Sequence, residues 1–322
     1  MAGQLWGTAS TGGYLYSDEL SETMRMELMA TCKFRQLCDA PDFESKGEKA
    51  GDAVHWNVFS KIANNGTTLS ETSEMPTSNF TIKQGTATVD EWGNSVPYTA
   101  RVDLLGKQEV TDVVKRVLAR DARETLDRAA HAQFGLTRLR YVATSTATGT
   151  LYTNGTTTGT NTSALNKTHI RTLVDTAKER NIPPYRRDDY AMIARPLTFR
   201  PLRNELESVN QYVDQGYAKI TAGEIGRFEG VRFIEQTNVD KGVSNSGTAW
   251  TGGLSDWAYF FGSDTVAEII VVPPEIRAKL PTDYGRSHGI AWYALEGFGL
   301  IHNSTTDPDG TNSRIIKWDS LA

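Results

Sequence analysis

Apolar and polar residues alternate over Val54, Trp56, Val58 and Ile62, with His55, Asn57 and Lys61 facing the other way. A period of two predicts a half-buried strand. A polar, turn-rich stretch follows (Asn64-Asn65-Gly66-Thr67, then Met75-Pro76-Thr77), and a second strand begins at Phe80 and Ile82. The third run alternates most cleanly: Val96, Tyr98, Ala100, Val102 and Leu104 against Pro97, Thr99, Arg101 and Asp103. It predicts a strand through Leu104, with Pro97 near its start marking an edge or an entrance. Residues 54–104 thus read as long antiparallel strands joined by a polar excursion. The middle, 63–95, holds few large apolar side chains and is expected to project from the main body, because it cannot bury enough surface to support itself.

Helical periods appear elsewhere. Leu20, Met24 and Leu28 recur every four residues behind an N-cap at Ser17 and predict a helix over 18–31. From Thr111, read as an N-cap, to Phe134, apolar residues at 113, 114, 117, 118, 122, 126, 129 and 130 follow the helical repeat, and Gly135 is the natural stop. Such a helix is a rod of roughly 36 Å. Its other face carries Lys115, Arg116, Arg120, Asp121, Arg123, Glu124, Asp127 and Arg128, which reads as a solvated face laced by ion pairs rather than a nucleic-acid stripe. A helix is predicted over 167–180, stopped by Asn181 and Pro183-Pro184, and a short one over 200–209. Strands are predicted at 190–194, 231–234, 258–261, 269–272, 290–295 and 314–318. Residues 1–16 read as an extended arm. Residues 141–166 contain no charged side chain, and their density of threonine predicts a surface insertion or hairpin outside the core. The elements interleave as one α+β body with appended arms.

The composition narrows the function. The chain has 322 residues, 34 Lys+Arg and 39 Asp+Glu, a net charge of −5 that argues against a protein whose main work is gripping phosphate backbones. No apolar run approaches the ~20 residues of a membrane helix, and residues 1–16 lack the charged and apolar regions of a secretory signal. Two cysteines, Cys32 and Cys38, are too few for a disulfide scaffold and read as reduced thiols. With five scattered histidines they make no zinc pattern, and no cofactor is expected. Gly285-Arg286-Ser287-His288-Gly289 matches the G-x-S-x-G nucleophile elbow, but a strand-like run follows where the elbow needs a helix, so a turn is the better reading. Gly297-Phe298-Gly299 is a lone GxG in a strand. Asp307-Pro308-Asp309-Gly310 reads as a β-turn, and Arg186-Arg187 beside Asp188-Asp189 as a self-paired, solvated turn.

Residues 220–239, ITAGEIGRFEGVRFIEQTNV, are punctuated by glycines 223, 226 and 230, which deliver the strand at 231–234. Arg227 and Arg232 are candidate cross-strand or cross-subunit ion-pair donors. The stretch AGEIGRFEGVRF resembles the tailed-phage major capsid family named for phage N-four, and the element order over nearly the whole chain is similar to the Hong Kong 97-like capsid fold shared by tailed phages and herpesviruses. The resemblance implies an N-terminal arm with a short helix (1–50), an extended loop (51–108), a peripheral domain with a spine helix and the threonine-rich insertion (109–166), an apical domain (167–290) and a return to the peripheral sheet (291–322). It implies a major capsid protein whose copies form hexamers and pentamers and close into an icosahedral shell around double-stranded DNA, without sequence-specific binding and without a membrane. A separate scaffolding protein, a portal and a decoration protein are the further partners it implies, with assembly in the host bacterial cytoplasm. Expected inter-subunit contacts are Phe80, Trp92, Arg227 and Arg232. No cross-linking residues carry over. The alternatives are a non-viral compartment shell or another virion component, and then a serine hydrolase using Ser287.

Overall fold

Two runs, Tyr190-Ala191-Met192-Ile193-Ala194 and Ala258-Tyr259-Phe260-Phe261, are apolar at every position. A strand of this kind is stable only when both faces of its sheet are covered, and the computed structural model has that arrangement. It describes residues 29, 32–38, 51–62, 66–72, 74–105, 109–210, 227–239 and 257–320. The arm 1–16, the helix expected at 18–31 apart from residue 29, and residues 220–226 of the family-like stretch lie outside these.

The strands are β1 (Ala53–Phe59), β2 (Ile82–Thr88), β3 (Asp90–Thr99), β4 (Leu139–Ala143), β5 (Gly149–Tyr152), β6 (Tyr190–Ala194), β7 (Arg227–Phe228), β8 (Val231–Glu235), β9 (Ala258–Phe261), β10 (Val266–Ala278), β11 (Ser287–Leu300) and β12 (Ile315–Trp318). The helices are α1 (Ala100–Leu105), α2 (Val110–Gly135), α3 (Lys167–Glu179) and α4 (Pro196–Asn210). A 3-10 turn occupies Arg35–Leu37. The strands form a β1-β2 ladder, a three-stranded sheet β10-β11-β3 and a seven-stranded sheet β5-β4-β12-β9-β6-β8-β7.

Side-chain alternation sorts the core. Met192, Ala194, Phe260, Ile316 and Trp318 pack with Ile170, Leu173, Val174 and Ala177 of α3 and with Phe199 and Leu202 of α4. The opposite residues, Ala191, Ile193, Tyr259, Phe261 and Ile315, pack with Leu126, Ala130 and Phe134 of α2 and with Phe34. The first half of α2 does something else: Val110, Val114, Leu118 and Ala122 cover Ile290, Trp292 and Ala294 of the three-stranded sheet. One continuous helix therefore fixes the two sheets relative to each other. α3 is capped as its sequence demands, with the Asn166 side chain accepting the His169 N–H at 3.0 Å.

Several sequence expectations are corrected. The alternating run ends at Thr99, where the Ala100 N–H bonds to the Arg286 carbonyl, and residues 100–105 turn into α1. Val102 is then 3% exposed and Leu104 83%, so alternation over five residues was satisfied by one turn of helix as well as by a strand. β2 and the start of β3 lie inside the stretch expected to project; the buried residues of β2 are Gly85 and Ala87, too small to signal burial, Trp92 is the inward residue at the start of β3, and the excursion shrinks to about 60–81. α2 begins at Val110 after Glu109, not Thr111, and Gly135 is its last residue rather than the stop. Val117 is 44% exposed.

Asp127, expected on the solvated face of α2, is buried. It accepts hydrogen bonds from Gln236 Nε2 (2.6 Å), Asn238 Nδ2 (2.9 Å) and the Arg35 backbone N–H (3.2 Å). Residues 141–143 form a core strand, and Asn161, Ser163 and Leu165 are buried as well. The hydroxyl-rich chain satisfies itself there, as when the Asn161 N–H donates to Ser320 Oγ at 2.7 Å. The seven-stranded sheet takes β4 and β5 from 109–166, β6 to β9 from 167–290 and β12 from 291–322, while β10 joins the other sheet.

Candidate functional site

The β1-β2 ladder is antiparallel from Ala53↔Thr88 to Phe59↔Ile82. Its root is built into the body. Val54 and Ala87 cluster with Ile269 of β10, and the Trp56 indole donates to the Ile301 carbonyl at 3.0 Å. Close approach of β11 makes this seat. A Cβ placed on Gly299 would lie 2.5 Å from the Ala87 Cβ, and one on Gly297 would lie 2.3 Å from the Thr88 carbonyl oxygen. The lone GxG is thus a packing device: only glycine lets the two backbones come this near.

Away from the root the pattern inverts. Phe59, Ile62, Leu69, Met75, Phe80 and Ile82 are all exposed. Phe80 is 51% exposed, with its ring centroid 6.3 Å from that of Phe59. Six large apolar side chains are thus exposed at the far end of the ladder and in the excursion between its strands, and exposed apolar surface of this kind marks interaction sites.

The other expected contact residues have partners within the chain. Trp92 is half-buried, and its indole donates to the Glu296 carbonyl at 3.0 Å. Arg227 and Arg232 stand directly opposite each other on β7 and β8, a repulsive placement. Asp189 resolves it, pairing with Arg227 at 2.5 Å through one carboxylate oxygen and with Arg232 at 2.9 Å through the other. The hydrogen bond from Arg232, with the charge of Arg227 beside it, holds the Asp189 carboxyl below its ordinary range. Asp189 is therefore not self-paired with Arg186; the two share only backbone bonds across a turn. On the face of α2, the expected helical pairs do form at Asp112–Arg116 (3.0 Å) and Glu124–Arg128 (2.8 Å). Asp121 instead accepts the Trp292 indole at 2.7 Å and Asn94 Nδ2 at 3.0 Å, joining α2 to β11 and β3.

Ser287 opens β11, after a turn containing Gly285 at φ +84°, and its hydroxyl accepts from Lys279 Nζ at 3.2 Å. His288 stacks on Tyr98. A strand after the serine, in place of a helix, removes the elbow geometry. Asp307 and Gly310 close a β-turn. Among the described residues no cluster of three His, Cys, Asp or Glu side chains is placed to hold a metal ion, and no helix is long and apolar enough to cross a membrane.

One buried charged cluster has no counterpart in any sequence pattern. Arg35 bonds to Glu268 through Nε and to Glu296 through Nη2 (2.8 Å), and both carboxylates are buried. Burial pushes Glu296 up to about 7, with Glu268 adding to the rise and Arg35 opposing it. Each partner comes from a different part of the chain, so no local spacing could reveal them.

A family profile described as phage capsid protein matches residues 83–311. No curated protein matches the chain. Among solved structures, the cyanophage Pam1 capsid is 15% identical with a TM-score of 0.68, covering 100% of both chains. The head of Helicobacter pylori bacteriophage KHP40 is 14% identical with a TM-score of 0.66, covering 93% of this chain and 94% of that one. The capsid of Ralstonia phage GP4 is 12% identical with a TM-score of 0.65, covering 98% of each. The architecture they share is the mixed α/β capsid fold of tailed phages.

Proposed function

Because the chain belongs to the phage capsid protein family, we propose that it is the subunit of an icosahedral shell and that the β1-β2 ribbon is its principal joint to a neighbouring copy. The observation that carries this reading is the contrast along the ribbon: a root locked by Trp56, Gly297 and Gly299, and a distal part that exposes Phe59, Ile62, Leu69, Met75, Phe80 and Ile82. Burying these side chains against a sister subunit is favourable at about 25 cal/mol per Å² of apolar surface. Contacts of this head-to-tail kind repeat around a ring and give hexamers and pentamers. α2 is the spar that holds ribbon and sheets in fixed relation. Phe80 and its apolar neighbours take the contact role. Trp92, Arg227 and Arg232 are bonded inside the protomer, and the two arginines keep enough exposed surface to add contacts to a neighbour.

The shell would enclose double-stranded DNA and be assembled in the host bacterial cytoplasm with a separate scaffolding protein, a portal and a decoration protein. A net charge of −5 suits a container that must not clamp the polymer inside it. The hydrolase alternative loses its geometry, because Ser287 begins a strand. Electron microscopy of the purified full-length protein tests the proposal. Closed shells or rings of five and six are expected; a protein that stays monomeric under every assembly condition overturns it.

A further inference from the structure

Two buried carboxylates share one guanidinium at the place where the N-terminal segment meets the body. Arg35 lies on the 3-10 turn, Glu268 on β10 and Glu296 on β11. Glu296 is fully buried, and its Oε2 has no hydrogen-bond partner among the described residues. Of the other charged groups near the cluster, Arg123 of α2 and Glu275 of β10 line the same cavity as Arg35 and bring one charge of each sign. Asp127 of α2 takes the Arg35 backbone N–H, and Asp90 of β3 stands opposite Glu296 in the ladder. With both carboxylates ionised, the cluster is one negative charge in excess, and burying such a charge is strongly unfavourable.

Arg35 is also the group nearest water. Its side chain is partly exposed and lines a cavity of about 440 Å³ bounded by Cys32, Leu126, Asp127 and Trp292. Among the described residues the bonds that hold the segment include Lys33 N–H to Gln236 Oε1 (2.9 Å), Arg35 N–H to Asp127, the two Arg35 ion pairs, and the Phe34 ring against His131, Phe134 and Tyr259. Lifting it would let both carboxylates hydrate.

We propose that the Arg35–Glu268–Glu296 cluster is a proton-dependent fastener: docking of residues 33–38 onto β10 and β11 takes up one proton, held on Glu296, and loosens when that proton is lost. This inference stands on the single protomer and not on the shell reading.

The sign follows from linkage. Glu296 keeps its proton to about pH 7 when docked and has an ordinary value of 4.5 when hydrated. Below 4.5 both forms are protonated and docking is strongest. Between 4.5 and 7 only the docked form holds the proton, so docking weakens about tenfold per pH unit, and above 7 it levels off.

Hydrogen exchange of the Arg35 and Leu37 amides in the full-length protein, from pH 5 to 8 and corrected for the intrinsic pH dependence of exchange, reads this out. Wild-type protection is expected to fall about tenfold per unit from pH 5 to 7, while the Met192 and Phe260 amides keep theirs. Glu296→Gln should abolish the fall. Glu268→Gln leaves Glu296 alone with Arg35 and should move the fall to lower pH by at least about one unit; it decides the matter if the first variant does not fold. Flat wild-type protection, a fall shared by Met192 and Phe260, a fall retained in Glu296→Gln, or an unmoved midpoint in Glu268→Gln each overturns the proposal.

Discussion

Gly297 faces Thr88 so closely that a Cβ on it would sit 2.3 Å from the Thr88 carbonyl oxygen and 3.2 Å from the Val89 Cα. These are backbone atoms and cannot swing aside. Gly297→Ala is expected to push the ribbon root off β11 and destabilise the protein by about 1–3 kcal/mol. The check is the melting temperature together with protease cleavage within 53–88; an unchanged melting temperature would show that the ribbon does not rest on this strand.

Replacing residues 64–79 with a short Gly/Asn turn leaves β1 and β2 intact, because their ladder spans only Ala53–Phe59 and Ile82–Thr88. The circular dichroism of the variant should match the wild type, and sedimentation should show no large particles. Normal shells from this variant would remove the ribbon from the assembly mechanism.

Val117 lies in the interior of α2, within its first third, with its side chain partly in water, so replacing it tests the backbone more than the packing. Val117→Pro deletes one helical hydrogen bond and clashes with the preceding turn, a loss of about 3 kcal/mol or more. Val117→Ala should be neutral or slightly stabilising. Chemical denaturation distinguishes them, and equal midpoints would contradict the continuous helix.

Asp189→Asn leaves Arg227 and Arg232 facing each other without their shared carboxylate. The wild-type carboxyl is held below its ordinary 3.8, so its contribution is present above that value and is lost as pH falls through the depressed one. The variant should melt lower than wild type at pH 7, and the gap should close below pH 4. A gap that stays constant with pH would mean that the pair acts by packing and not by charge.

The sequence was readable where the period was long and one-sided. The stripe on α2, the stripe on α3, and the doubly apolar β6 and β9 all stand where their patterns put them, because burial of many side chains enforces one period. It misled where small residues did the packing: Gly85 and Ala87 are inward positions that read as polar excursion. It also misled where a charged residue was buried. Asp127 looked like part of a solvated face, and only Gln236, Asn238 and Arg35, more than ninety positions away, make its burial tolerable. For the candidate site, Phe80 was expected at the start of the second strand and as a contact, and it stands exposed on the ribbon. The Asp189 bridge and the Arg35 cluster were not legible, since nothing in a linear spacing says which distant carboxylate a guanidinium will meet.

Trp56 fastens the ribbon at the fourth of the ladder's seven pairs. The three pairs beyond it, out to Phe59, extend the ladder by about 10 Å at roughly 3.3 Å each. A tilt of about 10° about the indole would therefore carry the end of the ladder through about 2 Å. In the proposed shell, such leverage would let a single type of joint span the unequal gaps that curvature opens between otherwise identical tiles.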